Sequence, residues 1–419
     1  MSKYKPYPKY KESGVAWLGE VPEGWEISKL KYLCRITTGN KDTENKVDNG
    51  KYPFYVRSQT VEKINSYSFN GEAILTAGDG AGVGKVFHYT NGKFDFHQRV
   101  YLFYSFKNVD GKFLFEYIKN NFYKVALAGV AKSTVDSLRL PLIQNFMITV
   151  PSLKEQLRVS NYLDQKTKKI DTLIKKQQTL IKLLKEKRQA LISHAVTKGL
   201  DDAVEMKDSG VAWLGDVPLH WEIGLLSSLF TNNKEKNCGM KNNNLLSLSY
   251  GRIIQKNIDT SFGLLPANFE SYQIVHNGYI ILRLTDLQND KKSLRVGFVN
   301  EKGIITSAYV GLAKKSESIG NEKYFYYYLH SFDIHKGFYG MGAGVRQGLN
   351  FDELKKLRIT LPPINEQNKI VEYIEIKTNQ IDTLITKSTQ AIELLKERRT
   401  ALISAVVTGK VDVRKENYV

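Results

Sequence analysis

Two long segments of the chain carry a regular pattern of apolar residues at alternating intervals of four and three positions. The first segment, from about Lys154 to Val196, contains neither proline nor glycine, and the second lies 211 positions later. This spacing is typical of a helix that pairs with another helix through a coiled-coil seam. Each predicted helix has about 40 residues and a length of roughly 60 Å. The predicted seam residues are Ile170, Ile174, Ile181, Leu184 and Leu191 in the first helix and Ile381, Ile385, Ile392, Leu395 and Leu402 in the second.

The two predicted helices are expected to pair with each other. Because each helix follows a globular segment, antiparallel pairing would place the two globular segments at opposite ends of a rod. Parallel pairing, which would bring both segments to one end, is the alternative. Further apolar residues lie beside the seam at Leu173, Leu180, Leu183 and Ile192, so the stripe is wider than two helices require. We expect an additional partner helix to use that width.

A tandem repeat organises the rest of the chain. The sequence KESGVAWLGEVPEGWEI at 11–27 recurs as KDSGVAWLGDVPLHWEI at 207–223, an offset of 196 positions, whereas the helices are offset by 211. The spacers between these blocks, at 28–145 and 224–356, show little resemblance to each other. The repeat therefore predicts a common frame that is used twice and holds two different inserts.

Each spacer combines predicted strands with a predicted helix, and each returns to the frame through a strand ending at Pro151 or Pro362. The predicted fold class is α+β, with two globular α/β domains separated by two long helices that form an antiparallel coiled coil with pseudo-twofold symmetry. The strands are predicted at 51–56, 72–77, 85–90, 99–106, 279–285, 294–299 and 303–313, and the helices at 113–127 and 323–332. The predicted divisions are a first domain at 1–150, a helix at 151–200, a second domain at 201–361, a helix at 362–411 and a tail at 412–419.

The charge of the chain favours a polyanionic partner. Lys and Arg number 61 against 43 Asp and Glu, which gives a formal net charge of +18. Such an excess favours nucleic acid, because neutralised phosphates release counterions, although an ordinary basic protein would look the same. Residues 151–200 carry 12 basic and 4 acidic side chains, whereas residues 362–411 carry 7 and 6. The first helix therefore has either a solvated basic face or a face that runs near phosphates.

Cysteine usage and hydropathy bear on the cellular compartment. Cys34 and Cys238 are the two cysteines, and they lack a metal-ligand spacing. The chain has no apolar signal region at its start and no apolar run of 18 residues. We therefore expect a cytoplasmic protein without a membrane partner.

Candidate DNA-contacting residues lie on predicted loops and strand ends. Arg, Lys, Asn, Gln, Ser and Thr are the side chains that commonly hydrogen-bond base edges. Each candidate is also compatible with an ordinary surface or framework role. The candidates are Arg57, Ser58, Gln59, Lys85, His97, Gln98, Arg99 and Lys132 in the first spacer and Tyr250, Arg252, Arg283, Thr285, Lys291, Lys292, Arg295, Arg346 and Gln347 in the second.

A glycine-rich segment, AGDGAGVGK, ends at Lys85 and invites a nucleotide-binding interpretation. It does not fit a phosphate-binding P-loop, because Asp79 stands where the first glycine belongs and Val86 where a Ser or Thr should follow the lysine. Two interpretations stay open: a tight connection between strands, or a close approach of backbone N–H groups to DNA phosphates. The segment YGMGAGVRQG at 339–348 allows the same two interpretations.

The sequence contains no credible catalytic constellation. The segment LPPI at 361–364 lacks both the polar first residue and the aromatic last residue of the adenine methyltransferase tetrad. No HExxH or CxxC motif and no carboxylate cluster indicates a metal-dependent nuclease. We therefore expect no enzymatic activity, no metal site and no cofactor bound by this chain itself.

These blocks resemble the specificity subunits of type I restriction–modification systems. The resemblance lies in the two SGVAWLG blocks, each followed by an acidic residue and VP, and in the P-x-x-x-EQ motifs that precede the IDTLI helices and the ALIS-x-x-VT ends. GDGAGVGKVFHY and RLTDLQND are similar to sequences in that family's target-recognition domains. The resemblance covers nearly the whole chain, and four matched blocks in the same order make it specific.

The resemblance implies a DNA-reading subunit that catalyses nothing itself. Each target-recognition domain would read one half of a bipartite, asymmetric site in double-stranded DNA, and the paired helices would fix the gap. Two modification subunits, which use S-adenosylmethionine to methylate adenine, would dock on the frame, and two restriction subunits that use ATP and Mg could join them. A coiled-coil scaffold and a fused restriction or methylation enzyme are the alternatives.

Overall fold

The computed structural model describes residues 5–126, 137–259, 268–290, 292–341 and 348–414. The chain forms two compact units. Met1–Gln178 and Thr389–Val419 make up the first unit, and Thr179–Ser388 makes up the second. Each unit therefore contains one spacer together with part of each long helix.

The first unit contains a six-stranded sheet and short two-stranded pairs. Its strands are β1 (Tyr10–Glu12), β2 (Glu20–Pro22), β3 (Glu26–Lys29), β4 (Arg35–Thr38), β5 (Tyr52–Tyr55), β6 (Glu62–Ile64), β7 (Phe69–Ala77), β8 (Phe87–Phe96), β9 (Val100–Tyr104) and β10 (Met147–Val150). Its short helices are α1 (Leu30–Leu33), α2 (Gly111–Asn121), α3 (Tyr123–Ala126) and α4 (Leu140–Gln144), and the long helix α5 (Leu153–Lys198) begins in it. The strand order of the large sheet is β4-β9-β7-β8-β5-β6.

The second unit holds two four-stranded sheets instead. Its strands are β11 (Met206–Asp208), β12 (Asp216–Pro218), β13 (Glu222–Leu225), β14 (Phe230–Asn232), β15 (Leu245–Ser249), β16 (Arg252–Lys256), β17 (Gln273–Val275), β18 (Ile280–Leu282), β19 (Val296–Phe298), β20 (Gly303–Ile305), β21 (Val310–Lys314) and β22 (Arg358–Leu361). Its helices are α6 (Leu226–Leu229), α7 (Glu322–Ile334), α8 (Phe351–Leu354) and the long α9 (Ile364–Val407), which ends in the first unit. The sheet orders are β14-β21-β18-β19 and β16-β15-β20-β17.

One strand prediction is wrong. The continuous strand predicted at 303–313 is broken into β20 and β21, which belong to different sheets. A turn separates them, in which the Tyr309 amide donates to the Thr306 carbonyl. Periodicity alone predicted one strand because both halves are apolar and the turn contains neither glycine nor proline.

The long helices pair antiparallel within each unit, as predicted. In the first unit Arg399 of α9 binds Asp171 of α5, with 2.9 Å between Nε and Oδ1. In the second unit Arg188 of α5 lies 3.4 Å from Asp382 of α9, again between Nε and Oδ1. None of the ten predicted seam residues is exposed. The seam therefore buries its apolar side chains on one face of each helix.

The residues beside the seam divide into two groups. Leu173, Leu180 and Leu183 are 48%, 42% and 55% exposed. Ile192, in contrast, is fully buried in the core of the second unit, together with Trp221 and Ile374. The wide apolar stripe predicted from sequence therefore includes one residue that belongs to a core and three that face solvent.

The strands that lead to Pro151 and Pro362 form an equivalent contact in the two units. The Thr149 hydroxyl, on β10, donates to the Val407 carbonyl at 2.9 Å, and the Thr360 hydroxyl, on β22, donates to the Val196 carbonyl at 3.2 Å. Each pair thus joins the strand that follows a spacer to the end of the long helix that does not directly follow that strand. The corresponding residues stand 211 positions apart, so both units contain the same contact.

The glutamine of each P-x-x-x-EQ motif forms a second contact that is repeated in the two units. Gln156 accepts a hydrogen bond from the Asp110 amide and donates one to the Pro151 carbonyl, both at 2.7 Å. Gln367 accepts in the same way from the Asn321 amide at 2.9 Å. Asp110 and Asn321 are the N-cap residues of α2 and α7. The motif therefore joins the first turn of each long helix to the helix of the preceding spacer.

Candidate nucleic-acid interface

Arg57 and Arg99, two of the predicted DNA-contacting residues, lie at one edge of the sheet of the first unit. Strands β5 and β8 are parallel neighbours, with Tyr55 opposite Phe96, so both end at the same edge. Arg57 follows β5, and Arg99 precedes β9 in the turn after β8. The loop that connects β7 to β8 lies at this edge too, because Ala77 pairs with Val100 at the start of β9. Strand order therefore brings three loops together that are far apart in sequence.

Asp79 joins two of these loops through its carboxylate. Its Oδ1 lies 3.0 Å from Nη1 of Arg57, and its Oδ2 accepts from Nη1 of Arg99. Burial alone would raise the pKa of the Asp79 carboxyl, but hydrogen bonds from Arg99 and Arg57 outweigh burial and hold this pKa below its ordinary value. The side chain of Asp79 is 12% exposed, whereas those of Arg57 and Arg99 are 43% and 61% exposed. The two guanidinium groups are thus anchored on one side and open to solvent on the other.

His97 does not present its side chain to a ligand, contrary to the prediction. It is 2% exposed, and its Nδ1 accepts a hydrogen bond from the Arg99 amide at 2.9 Å. Desolvation by burial lowers the pKa of His97, although the nearby carboxylate of Asp42 raises it. His97 therefore serves to fix the backbone of the turn that carries Arg99.

Other candidates in this unit differ in how they are held. Gln98 is exposed and donates through Nε2 to Asp42 at 2.7 Å. The Ser58 hydroxyl donates to the Thr60 carbonyl at 2.9 Å within its own loop. Gln59 and Lys85 are exposed. Lys132 lies outside the described residues.

The glycine-rich segment forms a tight connection. A Cβ atom on Gly78 would lie 2.9 Å from the Arg99 carbonyl oxygen, and one on Gly82 would lie 2.5 Å from that of Arg57. Gly80 and Gly84 have φ values of +75° and +68°, which favour glycine. Packing against the two arginine-bearing loops accounts for Gly78 and Gly82, and positive φ accounts for Gly80 and Gly84, without a bound nucleotide. Residues 342–347 of the second glycine-rich segment, with Arg346 and Gln347, lie outside the described residues.

In the second unit, Tyr250 and Arg252 lie at the tip of the hairpin between β15 and β16. Tyr250 has φ +46° and Gly251 φ +77°. Two successive residues with positive φ are characteristic of a type I′ turn, which matches the twist of the flanking strands. Tyr250 is 77% exposed and Arg252 is also exposed. The hairpin thus presents both side chains to solvent, as a DNA-contacting tip requires.

Arg295 is a structural residue, so its predicted role in contacting DNA is wrong. It is fully buried. Its guanidinium donates to the carbonyl oxygens of Arg283 (3.1 Å), Thr285 (2.8 Å), Asp286 (3.3 Å) and Asp290. These four carbonyls belong to the loop that follows β18. The arginine therefore holds that loop from inside, and a buried guanidinium is stable there because carbonyl acceptors surround it.

The loop that Arg295 organises presents other candidates. Thr285 is exposed, and Arg283 is 32% exposed at a distance of 3.7 Å from Asp290. Asp286, with φ +58°, bends the backbone between Arg283 and Asp290. Lys292 is exposed, whereas Lys291 lies outside the described residues.

We expect Arg295→Met to lower the free energy of unfolding of the second unit by about 3 kcal/mol, because a fully buried guanidinium and its hydrogen bonds to four carbonyls are lost. Urea unfolding followed by intrinsic fluorescence measures this change. Arg283→Met is the matched control, and it should cost less than about 1 kcal/mol because its ion pair is partly exposed. Equal losses for the two variants would contradict the assigned role of Arg295.

Sequence reasoning missed the acidic residues that orient the candidate basic ones. Asp42 binds Gln98, Asp79 binds two arginines, and Asp290 lies near Arg283. A lone acidic residue within a loop of a basic protein was an available signal. Which basic partner it meets could not be read, because Arg57 and Asp79 are 22 positions apart.

Two absences apply to the described part of the chain. No three His, Cys, Asp or Glu side chains there come together as a metal site. No helix among those same residues is long and apolar enough to cross a membrane.

Comparison with solved structures gives the same fold. A chain solved in a study of complex assembly and conformational transition of the type I R-M system superposes with a TM-score of 0.66, at 13% identity, over 93% of this chain and 99% of that one. The HsdS subunit from Thermoanaerobacter tengcongensis superposes with a TM-score of 0.53, also at 13% identity, over 93% and 98%.

Sequence comparison identifies the family. The type I restriction enzyme EcoDI specificity subunit of Escherichia coli is 29% identical over 178 residues, which are 42% of this chain and 39% of that protein. The putative type I restriction enzyme MjaX specificity subunit of Methanocaldococcus jannaschii is 24% identical over 95% of this chain and 96% of that protein. The family model of the type I restriction modification DNA specificity domain matches residues 22–183 and again residues 230–394. Because these two matches cover most of its length, the chain belongs to the family of type I restriction–modification DNA specificity domains.

Proposed function

We propose that this chain reads a bipartite DNA site, one half with each unit, on behalf of a type I restriction–modification complex. The observation that carries this proposal is the difference between frame and inserts. The frame contacts of Thr149 and Thr360 are equivalent, whereas one unit holds a six-stranded sheet and the other two four-stranded sheets. Two different DNA-recognition inserts in one repeated frame suit a DNA site whose two halves differ in sequence.

In this proposal DNA lies against the loops that carry exposed basic and polar side chains. In the first unit these are the loops of Arg57 and Arg99, and in the second they are the hairpin of Arg252 and the loop of Thr285. The formal charge of +18 supplies an attraction that does not depend on DNA sequence. Hydrogen bonds to base edges supply the discrimination.

Two modification subunits dock on the helices in this proposal. Each unit carries an exposed leucine on each helix: Leu173 and Leu394 in the first unit, and Leu183 and Leu384 in the second, with exposed fractions between 48% and 65%. Leu384 is the counterpart of Leu173 in the repeat, and Leu394 is that of Leu183. Each unit therefore offers one copy of both leucines, which suits two copies of one partner.

In this proposal the partner subunits carry out the methylation and cleavage reactions. The modification subunits bind S-adenosylmethionine and flip and methylate an adenine, and two restriction subunits use ATP and Mg for translocation and cleavage. This chain positions them on DNA and catalyses neither reaction. The second unit and the first would each place one modification subunit over its own half-site.

A combined binding and methylation experiment tests the function. The full chain is assembled with its modification subunit, and adenine methylation is mapped across the genome of a host strain. We expect one bipartite motif, and binding to a duplex that contains it should weaken by orders of magnitude between 50 and 200 mM salt, as roughly expected for several phosphate contacts. Methylation of the same motif by the modification subunit alone would show that another protein reads the site.

The exposed leucines give a prediction about assembly. We expect Leu173→Ser with Leu394→Ser to remove one of two modification subunits, because apolar contact area is lost in the first unit only. Native mass spectrometry of the complex measures the stoichiometry. Gln178→Ser, at an exposed position of α5, is the control and should leave two subunits bound. A further variant replaces Leu183 and Leu384 by serine as well. If this fourfold variant still binds two modification subunits, docking at these positions is contradicted.

A further inference from the structure

The first unit contains an acidic residue in the middle of its candidate DNA-binding surface. Asp79 binds Arg57 through one carboxylate oxygen and Arg99 through the other. A carboxylate there repels phosphate and lowers the charge of the three residues from +2 to +1. An interface that needed only attraction to the DNA backbone would gain affinity by omitting it. Its presence therefore calls for a role other than raw affinity.

Geometry supplies such a role. An arginine that reads guanine donates two parallel hydrogen bonds to O6 and N7, so its guanidinium plane must be fixed. A free arginine on a loop can turn its guanidinium toward phosphates or toward acceptors on other bases, so its contacts discriminate little between DNA sequences. A carboxylate that holds one nitrogen of each guanidinium removes much of that freedom before DNA arrives.

Asp79 is itself held firmly enough to act in this way. The Gly78 amide donates to the Arg99 carbonyl at 2.8 Å, and the Leu138 amide donates to the Gly78 carbonyl at 2.8 Å. Asp79 also forms an isolated antiparallel bridge with Ser137. The backbone on both sides of the carboxylate is thus fixed by segments from elsewhere in the unit.

We propose that Asp79 is a positioning residue that orients Arg57 and Arg99 to read guanine base edges in the half-site of the first unit. This inference rests on the proposed function. It adds the base that this half-site must contain and the residue that makes its recognition specific. Asp79 increases discrimination and decreases affinity for DNA of any sequence.

The test uses the full chain assembled with its modification subunit and a library of duplexes with both half-sites randomised. The wild-type complex defines the two half-sites, and we expect guanine at one or more positions of the first. Asp79→Asn keeps the shape of the side chain and removes its charge. We expect discrimination at those guanines to fall about tenfold, as for the loss of a fixed bidentate contact. Affinity for non-cognate DNA should rise, and its salt dependence should steepen by about one phosphate contact.

Two further variants separate positioning from charge and from folding. Asp48→Asn, at an exposed position of the same unit, makes the same charge change and should leave discrimination intact. Arg99→Lys keeps the charge but loses the planar fork, so it should reproduce the loss of discrimination without the gain in non-cognate affinity. A thermal unfolding midpoint equal to that of the wild type shows that each variant is folded.

The outcomes separate this inference from the proposed function. A wild-type complex that selects no bipartite sequence overturns both. A wild-type complex that reads two half-sites, with Asp79→Asn reading both equally well, overturns the role of Asp79 alone. Loss of discrimination in both half-sites together with a lower unfolding midpoint would mean that Asp79 only stabilises the fold, and it overturns the inference too.

Discussion

Exchange of residues 35–106 for the corresponding segment of another family member is expected to change one half of the methylated DNA sequence completely and to leave the other half unchanged. These residues contain the six-stranded sheet and all three loops at its candidate DNA-binding edge. The second unit has its own sheets and its own cores, so we expect its half-site to be read as before. Genome-wide mapping of methylated adenine measures both halves at once.

The structure indicates where such an exchange can be made without damage to the frame. One face of the sheet packs in the core that includes α2 and the long helices, through Ile74, Phe87 and Phe103. The other face forms a separate small core with Leu75 and Leu102. An exchange that keeps Ile74, Phe87 and Phe103 therefore keeps the packing of the sheet against the frame. The reciprocal exchange of residues 230–314 serves as the control and should change only the other half-site; a change in both halves from either exchange would contradict independent reading.

Insertion of one heptad into each long helix is expected to widen the gap that the complex tolerates between the half-sites. Insertion sites between Gln178 and Thr179 and between Ser388 and Thr389 lie at the division of the two units, so the contacts described within each unit are kept. Seven residues preserve the alternation of four and three along the seam. They add about 10 Å of helix, which corresponds to roughly three base pairs of duplex. Binding to duplexes with a graded series of gap lengths measures the shift.

The control for this experiment is an insertion into one helix alone. The seam residues of the longer helix would then lose their partners beyond the insertion, and the unfolding midpoint should fall. An unchanged gap in the doubly extended protein, with an unchanged midpoint, would mean that the helices do not set the spacing.

Several features of this protein were determined by the sequence alone. A seam at intervals of four and three depends only on helical geometry, and every predicted seam residue, from Ile170 to Leu402, avoids exposure. The repeat offset of 211 positions also predicted correctly that the helices and the strands ending at Pro151 and Pro362 recur. These are local patterns, since each residue's place follows from its near neighbours in the chain.

The repeat was nevertheless underestimated, because only residue identity was compared. Tyr117 and Tyr328, on α2 and α7, are 211 positions apart, and their hydroxyls donate to the equivalent carbonyls of Met147 and Arg358. The residues around them differ between the copies, so sequence comparison did not align the two helices. The structure conserves their hydrogen bonds while the neighbouring side chains change.

Burial of charged residues was decided only by the tertiary structure. Arg57, Arg99 and Arg295 looked equivalent as basic residues on predicted loops and strand ends. Arg295 became a buried scaffold because one loop folds four carbonyl oxygens around it, and Arg57 and Arg99 became an oriented pair because strand order brings Asp79 between them. An arginine's role depends on the acceptors around it, and those acceptors come from segments that are distant in sequence and meet only in the folded chain.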